Sequence, residues 1–344
     1  MSGLVYPWSV AFLPDGEMLI TERPGRLRIL SERTRGSRLI GGVPELVNLF
    51  DVVPHPNFSD NRLVFLAYSA EDSKRYGLEV LRARLHDDGL VDKEVIFRAA
   101  PKTGNMPLSG GRLLFASDGA LLISVGDHQD GRSYAQDRSS HLGAVVKIER
   151  PAAAPAAGAE SAVDAPVVHT SGHRNVQGLA IDDRSGEIWI TEHGPVDGDE
   201  LNLLVAGGNY GWPIEHFGED DPSPGSESRQ PDQRFEKPVL VWTPAIAPSG
   251  LAIYRGRTIR AWDGSLFVGS LTGCYVLRVR LDGDNELLSE EKLLGELGER
   301  IRDVRIGPDE AVYVLTDEID GKLIRFGPPP APDMEARQVE SRTP

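Results

Sequence analysis

Phe115-Ala116-Ser117-Asp118-Gly119-Ala120-Leu121-Leu122-Ile123-Ser124 is the stretch whose reading decides the fold. An Asp-Gly pair between two apolar, β-prone runs is a strong short-range hairpin signal, because both residues tolerate the backbone conformation of a tight turn. The unit recurs along the chain. Phe12-Leu13-Pro14-Asp15-Gly16 precedes Met18 to Thr21, and Phe58 to Leu66 carries Asp60-Asn61 at its turn. Ile181 to Thr191 turns at Ser185-Gly186, Trp262-Asp263-Gly264 precedes Leu266 to Val268, and Ile306-Gly307-Pro308-Asp309-Glu310 precedes Val312 to Leu315.

Six such hairpins, spaced by roughly 45 to 80 residues, fit one hairpin per four-stranded blade with insertions in the longer intervals. They predict an all-β fold, a six-bladed β-propeller of four-stranded antiparallel blades in a single domain over residues 1–327. An irregular β-sandwich is the alternative, but sandwiches lack this self-similarity. Helical periodicity is confined to one short candidate, Glu290 to Leu297. Pro151 to Pro166 and Glu219 to Pro238 are Pro-rich and read as loops, and residues 328–344 read as a disordered tail.

The chain has 344 residues with 52 acidic against 37 basic, a formal net charge of −15. This balance argues against nucleic acid or an anionic membrane as the main partner and leaves a small-molecule substrate as the expected one. No apolar run reaches the roughly 18 residues of a membrane span. Cys274 is the single cysteine, so no internal disulfide forms. A cytoplasmic location is expected as the sequence stands, and export if the true N-terminus carries a signal peptide.

Four strings are not demanded by strand packing. They are Gly172-His173-Arg174-Asn175-Val176-Gln177-Gly178, Glu192-His193-Gly194-Pro195 with Asp197, Asp199 and Glu200 after it, Arg300-Ile301-Arg302-Asp303-Val304, and Gly110-Gly111-Arg112-Leu113 followed by Gly126-Asp127-His128. Strand alternation puts Arg300 and Arg302 on one face. With Arg174 they suit a ligand bearing several carboxylates, since guanidinium forks match that shape. The acidic cluster and free carbonyls around Gly194-Pro195 offer the oxygen donors that Ca²⁺ takes. Surface ion pairs and a solvated acidic loop are the competing readings.

The Arg174-Asn175-Val176-Gln177-Gly178, Glu192-His193-Gly194-Pro195, Asn209-Tyr210-Gly211-Trp212-Pro213 and Arg300-Ile301-Arg302-Asp303-Val304 strings resemble signatures of the soluble PQQ-dependent aldose sugar dehydrogenases. So do Pro7-Trp8-Ser9-Val10-Ala11-Phe12, Thr21-Glu22-Arg23-Pro24-Gly25-Arg26-Leu27 and Pro248-Ser249-Gly250, from about Leu4 to Phe326. The resemblance implies that Arg174, Asn175 and Gln177 touch PQQ and that Arg300 and Arg302 clamp its carboxylates. It implies that the carbonyls of Gly194 and Pro195 ligate a catalytic calcium and that Glu200 and Tyr210 help hold a second, structural one. It implies hydride transfer from a sugar to the quinone, a histidine base, and an electron acceptor as partner.

The pattern breaks at two places. The family's histidine position holds Leu108, and its glutamine before Asp51 is matched by Leu46. Thr272 stands where some members carry a lysine. Leucine accepts no proton, and general-base help is worth roughly 10² to 10⁴ in rate. Asp127, which matches the aspartate that orients the missing histidine, and His128 beside it become the catalytic candidates, with His193 a further one. Two functions stay open: a PQQ- and calcium-dependent sugar or alcohol dehydrogenase, or a propeller without quinone chemistry. The second would bind, hydrolyse, cyclise or isomerise a more apolar, possibly carboxylated molecule.

Overall fold

The computed structural model describes residues 1–31, 36–104, 110–152, 164–218 and 234–327. The expected tail, most of both Pro-rich loops and Leu108 lie outside these residues. Six antiparallel meander sheets follow one another along the chain, five of four strands and one of three among the described residues. Their first strands are Pro7–Phe12, Asn48–Pro54, Gly110–Phe115, Val176–Ile181, Pro248–Ile253 and Ile301–Ile306. Each packs against the first strand of the next sheet, and the sixth against the first, so the six blades close a ring. The protein is the six-bladed propeller expected from the repeats.

The six hairpin units each join the first and second strands of a blade, on one face of the ring. The opposite face is built from the starts of the first strands, and the polar strings lie there. The second unit departs from expectation. Phe58–Asn61 is a helical turn ended by Arg62 in the left-handed conformation. Asn61 causes this locally, its Oδ1 accepting from the Leu63 N–H at 2.9 Å and its Nδ2 lying 2.9 Å from His55 Nδ1, bonds that compete with a plain two-residue turn.

The expected helix at Glu290–Leu297 is also corrected. Leu287–Leu293 is the outermost strand of the fifth blade, paired with Tyr275–Leu281, and only Gly295–Leu297 makes a 3₁₀ turn. Its Glu290, Glu291 and Lys292 break the period-two pattern because an edge strand faces water and carries charge against further pairing.

The hydrophobic core is divided into six clusters, one in each gap between adjacent blades. The second strand of blade two shows why. Val64, Leu66 and Tyr68 point at blade one, while Leu63, Phe65 and Ala67 point at blade three. A strand buried on both faces reads as a continuous apolar run, and alternation survives only in which neighbour each side chain meets.

The last blade has three strands, and the start of the chain completes it. Leu4 and Gly321 exchange N–H···O bonds of 3.1 and 2.6 Å, and the Leu323 N–H donates to the Met1 carbonyl at 2.9 Å. The short Met1–Leu4 segment thus lies along its outer edge, with Leu4 buried between blades six and one. No described helix is long and apolar enough to cross a membrane.

Candidate active site

The site begins at the axis. Arg112, 1 % exposed, lies over the Trp8 ring at 4.1 Å and donates from Nε to the Gln177 carbonyl at 3.0 Å. Its Nη1 is 3.0 Å from Asp303 and 3.6 Å from Asp51, and Arg305 reaches both carboxylates at 3.1 and 3.2 Å. One buried and one half-buried cation thus balance two buried anions at the centre of the ring, as burial of charge requires. The glycines before Arg112 both have positive φ, and a Cβ on Gly111 would stand 2.8 Å from the Phe50 ring. Gly110-Gly111-Arg112 is therefore a fixed frame, and it holds the next layer.

That layer is a run of hydrogen bonds. Arg302 Nη1 donates to Gln177 Oε1 (3.3 Å), Gln177 Nε2 to Asn175 Oδ1 (2.9 Å), Asn175 Nδ2 to His193 Nδ1 (3.2 Å), and His193 Nε2 to the Pro248 carbonyl (2.8 Å). The polarity is forced. Arginine only donates and a carbonyl only accepts, so each amide has one orientation and His193 is neutral with its proton on Nε2. Burial, aided by Arg174, Arg302 and Arg300, lowers the His193 pKa to about 4. With both ring nitrogens engaged, His193 has no lone pair left for a substrate proton.

Asp317, which the sequence reading missed, gathers the arginines. Its Oδ2 accepts from Arg302 at 2.8 Å and Arg300 at 3.4 Å, and its Oδ1 is 3.4 Å from Arg23. Burial opposes the charge on Asp317, but Arg302, Arg23 and Arg300 hold its pKa below the usual carboxylate range. Arg300 and Arg302 share a side, as alternation predicted. Arg174 stands across from them, its Nη1 3.5 Å from the His193 carbonyl and its guanidinium 5.6 Å from the Trp212 ring.

The turn after Glu192 contributes carbonyls. Asp199 accepts from the N–H groups of Gly194 (3.0 Å), Ile246 (2.8 Å) and Ala247 (2.7 Å), tying this turn to the start of blade five. A cavity of about 10 Å³, the room of one water-sized body, is lined among others by Glu192, Gly194, Pro195, Glu200 and Tyr210. The four residues that the sequence reading divided between two calcium ions thus line a single cavity. Burial and the nearby Glu192, Asp199 and Glu215 raise the Glu200 pKa well above its ordinary value. The buried Asn202 Oδ1 has no hydrogen-bond partner among the described residues. Oxygen donors and crowded negative charge fit a hard cation. No three Asp, Glu, His or Cys side chains there form a ready-made metal cluster among the described residues, so carbonyls must share the work. The Tyr210 hydroxyl is already spent on Leu203 and Val205, which leaves its carbonyl.

The chain turns at Asp127-His128, with His128 at φ 54°. The Asp127 N–H donates to the Arg174 carbonyl at 3.0 Å, and its Oδ2 accepts from the Trp212 indole at 2.9 Å. Burial raises the Asp127 pKa despite these bonds. His128 faces elsewhere, with Nδ1 3.2 Å from Thr103 Oγ1, and its buried Nε2 has no hydrogen-bond partner among the described residues. Leu46 packs over Gly25, where a Cβ would meet it at 3.2 Å, and joins the core between blades one and two. Thr272 Oγ1 lies 3.4 Å from the Ala245 carbonyl.

Residues 4–325 match the glucose/sorbosone dehydrogenase family. The chain is 36% identical over 349 residues to the aldose sugar dehydrogenase YliI of Escherichia coli, across 94% of this chain and 91% of that protein. A solved structure described as a glucose dehydrogenase superposes with a TM-score of 0.85 at 40% identity, over 96% of this chain and 98% of the other. The PQQ-bound form of an aldose sugar dehydrogenase from Streptomyces coelicolor superposes with a TM-score of 0.74 at 27% identity, over 95% and 92%. With the propeller closed over the same span that the family match covers, the chain belongs to the glucose/sorbosone dehydrogenase family of oxidoreductases.

Proposed function

We propose that the protein is a PQQ- and calcium-dependent dehydrogenase that oxidises an alcohol or aldose. The observation that carries this reading is the charge gathered on the face opposite the hairpins. Three guanidiniums, Arg23, Arg300 and Arg302, meet the single carboxylate of Asp317. Arg174 stands on the far side of His193, its guanidinium against the Trp212 ring. In a chain of net charge −15 such a surplus calls for a polyanionic ligand, and PQQ is a planar tricarboxylate.

When bound, the calcium-polarised quinone supplies an acceptor for the hydride that leaves the substrate carbon. Arg174, Arg300 and Arg302 would hold its carboxylates, Asn175 and Gln177 would fix its lateral position, and the turn through Gly194 and Pro195 would present carbonyl oxygens to calcium. Glu200 and Tyr210 would complete the oxygen shell. We assign the substrate hydroxyl proton to Asp127. It shares a corner with Arg174 and Trp212, and a carboxyl pKa raised by burial suits a proton acceptor. An electron acceptor is then required to reoxidise the cofactor.

The test is a titration of the purified protein with PQQ, with and without Ca²⁺, followed by absorbance and thermal shift. Saturable, calcium-dependent binding is expected. Absence of binding at tens of micromolar would overturn the reading.

A further inference from the structure

We propose that His193 is a positioning residue that couples the arginine clamp to the Gly194–Pro195 turn, so that cofactor and cation are held cooperatively; this rests on the function proposed above. Its ring borders the cation cavity and is also bonded into the network that reaches the clamp. On one side Asn175, Gln177 and Arg302 lead through 3.2, 2.9 and 3.3 Å bonds to the clamp. On the other, the 2.8 Å bond to Pro248 pins the residue immediately before Gly194 against blade five. The backbone repeats the link, since the His193 N–H donates to the Asn175 carbonyl at 3.2 Å and its carbonyl accepts from Arg174 at 3.5 Å.

The run has no slack. Gly110 N–H also donates to Asn175 Oδ1 at 2.9 Å, so turning that amide over would set donor against donor. Gln177 is buried, and turning it would aim its NH₂ at the guanidinium of Arg302. Bonds in such a chain polarise one another, so a change at one end is felt along the run. Asp199 holds the next residue, Gly194, from the opposite side at 3.0 Å, so a shift of the His193 ring has to be taken up in the carbonyls of the turn. Ligand that draws in Arg302 and Gln177 therefore sets the turn for the cation, and the reverse holds equally because linkage is reciprocal.

The experiment is a cycle of calcium affinities on the full chain, measured by calorimetry, with PQQ absorbance titrations in parallel. Gln177→Leu is neutral and remote from the turn. It should weaken Ca²⁺ binding by at least about 5-fold in the wild-type background, and leave it unchanged in a His193→Phe background. His193→Gln keeps one donor and one acceptor and should recover most of the loss caused by His193→Phe, which a merely space-filling role would not do. Equal losses in both backgrounds, or no rescue by glutamine, overturn the link alone. A wild type that takes up neither ligand removes the proposed function together with it. A second measurement needs no variant. The His193 Nε2–H resonance should shift with PQQ added alone and again with Ca²⁺ added alone, and a resonance indifferent to either one overturns the link.

Discussion

Arg112 Nη1 stands 3.0 Å from Asp303 Oδ1, and both side chains are sealed from solvent at the axis of the ring. Asp51 completes the pairing, and Arg305 is the other cation that serves both carboxylates. Replacing Arg112 by methionine keeps the volume but leaves two buried anions with one cation. The expected loss of stability is about 3–5 kcal/mol, the usual result of breaking a buried pair by removing one partner. Urea denaturation measures it, and a loss below about 1 kcal/mol would contradict the axial role given to Arg112.

Stability should fall in acid through buried histidine. Burial lowers the His128 pKa from 6.5 to about 4. Between those values the unfolded chain binds the proton and the folded one does not. The contribution is therefore complete above pH 6.5 and is lost as pH falls through the window toward 4, at most about 3 kcal/mol. His128→Asn, which also tolerates the left-handed backbone at this position, should flatten the decline. Denaturant midpoints of both proteins between about pH 7 and pH 4.5 give the comparison, and parallel slopes would show that His128 does not titrate in this window.

Gly194→Ala tests the turn. The added Cβ would lie 1.9 Å from the Asp197 carbonyl oxygen and 2.7 Å from that of Gly198, so the loop must deform. The calcium concentration needed for half-maximal PQQ binding should rise by at least about 10-fold, the scale of disturbed ligand positioning. The thermal midpoint without ligands should change far less, and a normal calcium requirement would remove this turn from the proposed site.

Leu108→His restores an imidazole at the position where the family's pattern has one. With Asp127 retained beside Arg174, kcat/KM for aldose oxidation should rise by roughly 10² or more. The assay includes saturating PQQ and Ca²⁺. An unchanged rate in a variant that binds both would mean that proton removal does not limit the reaction.

The fold was legible because its signals are local. Asp15-Gly16, Asp118-Gly119 and Asp309-Glu310 each mark a hairpin with no reference to distant sequence. That Arg300 and Arg302 share a side was legible for the same reason, the two being two residues apart where one strand begins. Asp317 was not, because it simply follows the apolar run Val312–Thr316, and nothing local shows that Arg23 from the first blade will arrive beside it. Nor was the role of His193 visible in Glu192-His193-Gly194-Pro195, since its tautomer is set by Pro248 from the next blade. The contact of Leu46 was not legible either, since nothing in Glu45-Leu46-Val47 shows that it packs over Gly25 and against the core between the first two blades.

The pairing of Leu4 with Gly321 has a consequence for how the protein is made. Blades two to five each form from one continuous stretch, whereas the last sheet borrows its outer edge from the segment that leads into blade one. Those residues leave the ribosome long before their partners exist, and at typical elongation rates the wait is tens of seconds. During that interval blade one exposes the apolar side chains of Val10, Met18 and Ile20 that will later meet Tyr313 and Leu315. A nascent chain of this kind is most prone to aggregation just before it is finished, and growth temperature or chaperone supply should govern its yield more than the stability of the closed ring does.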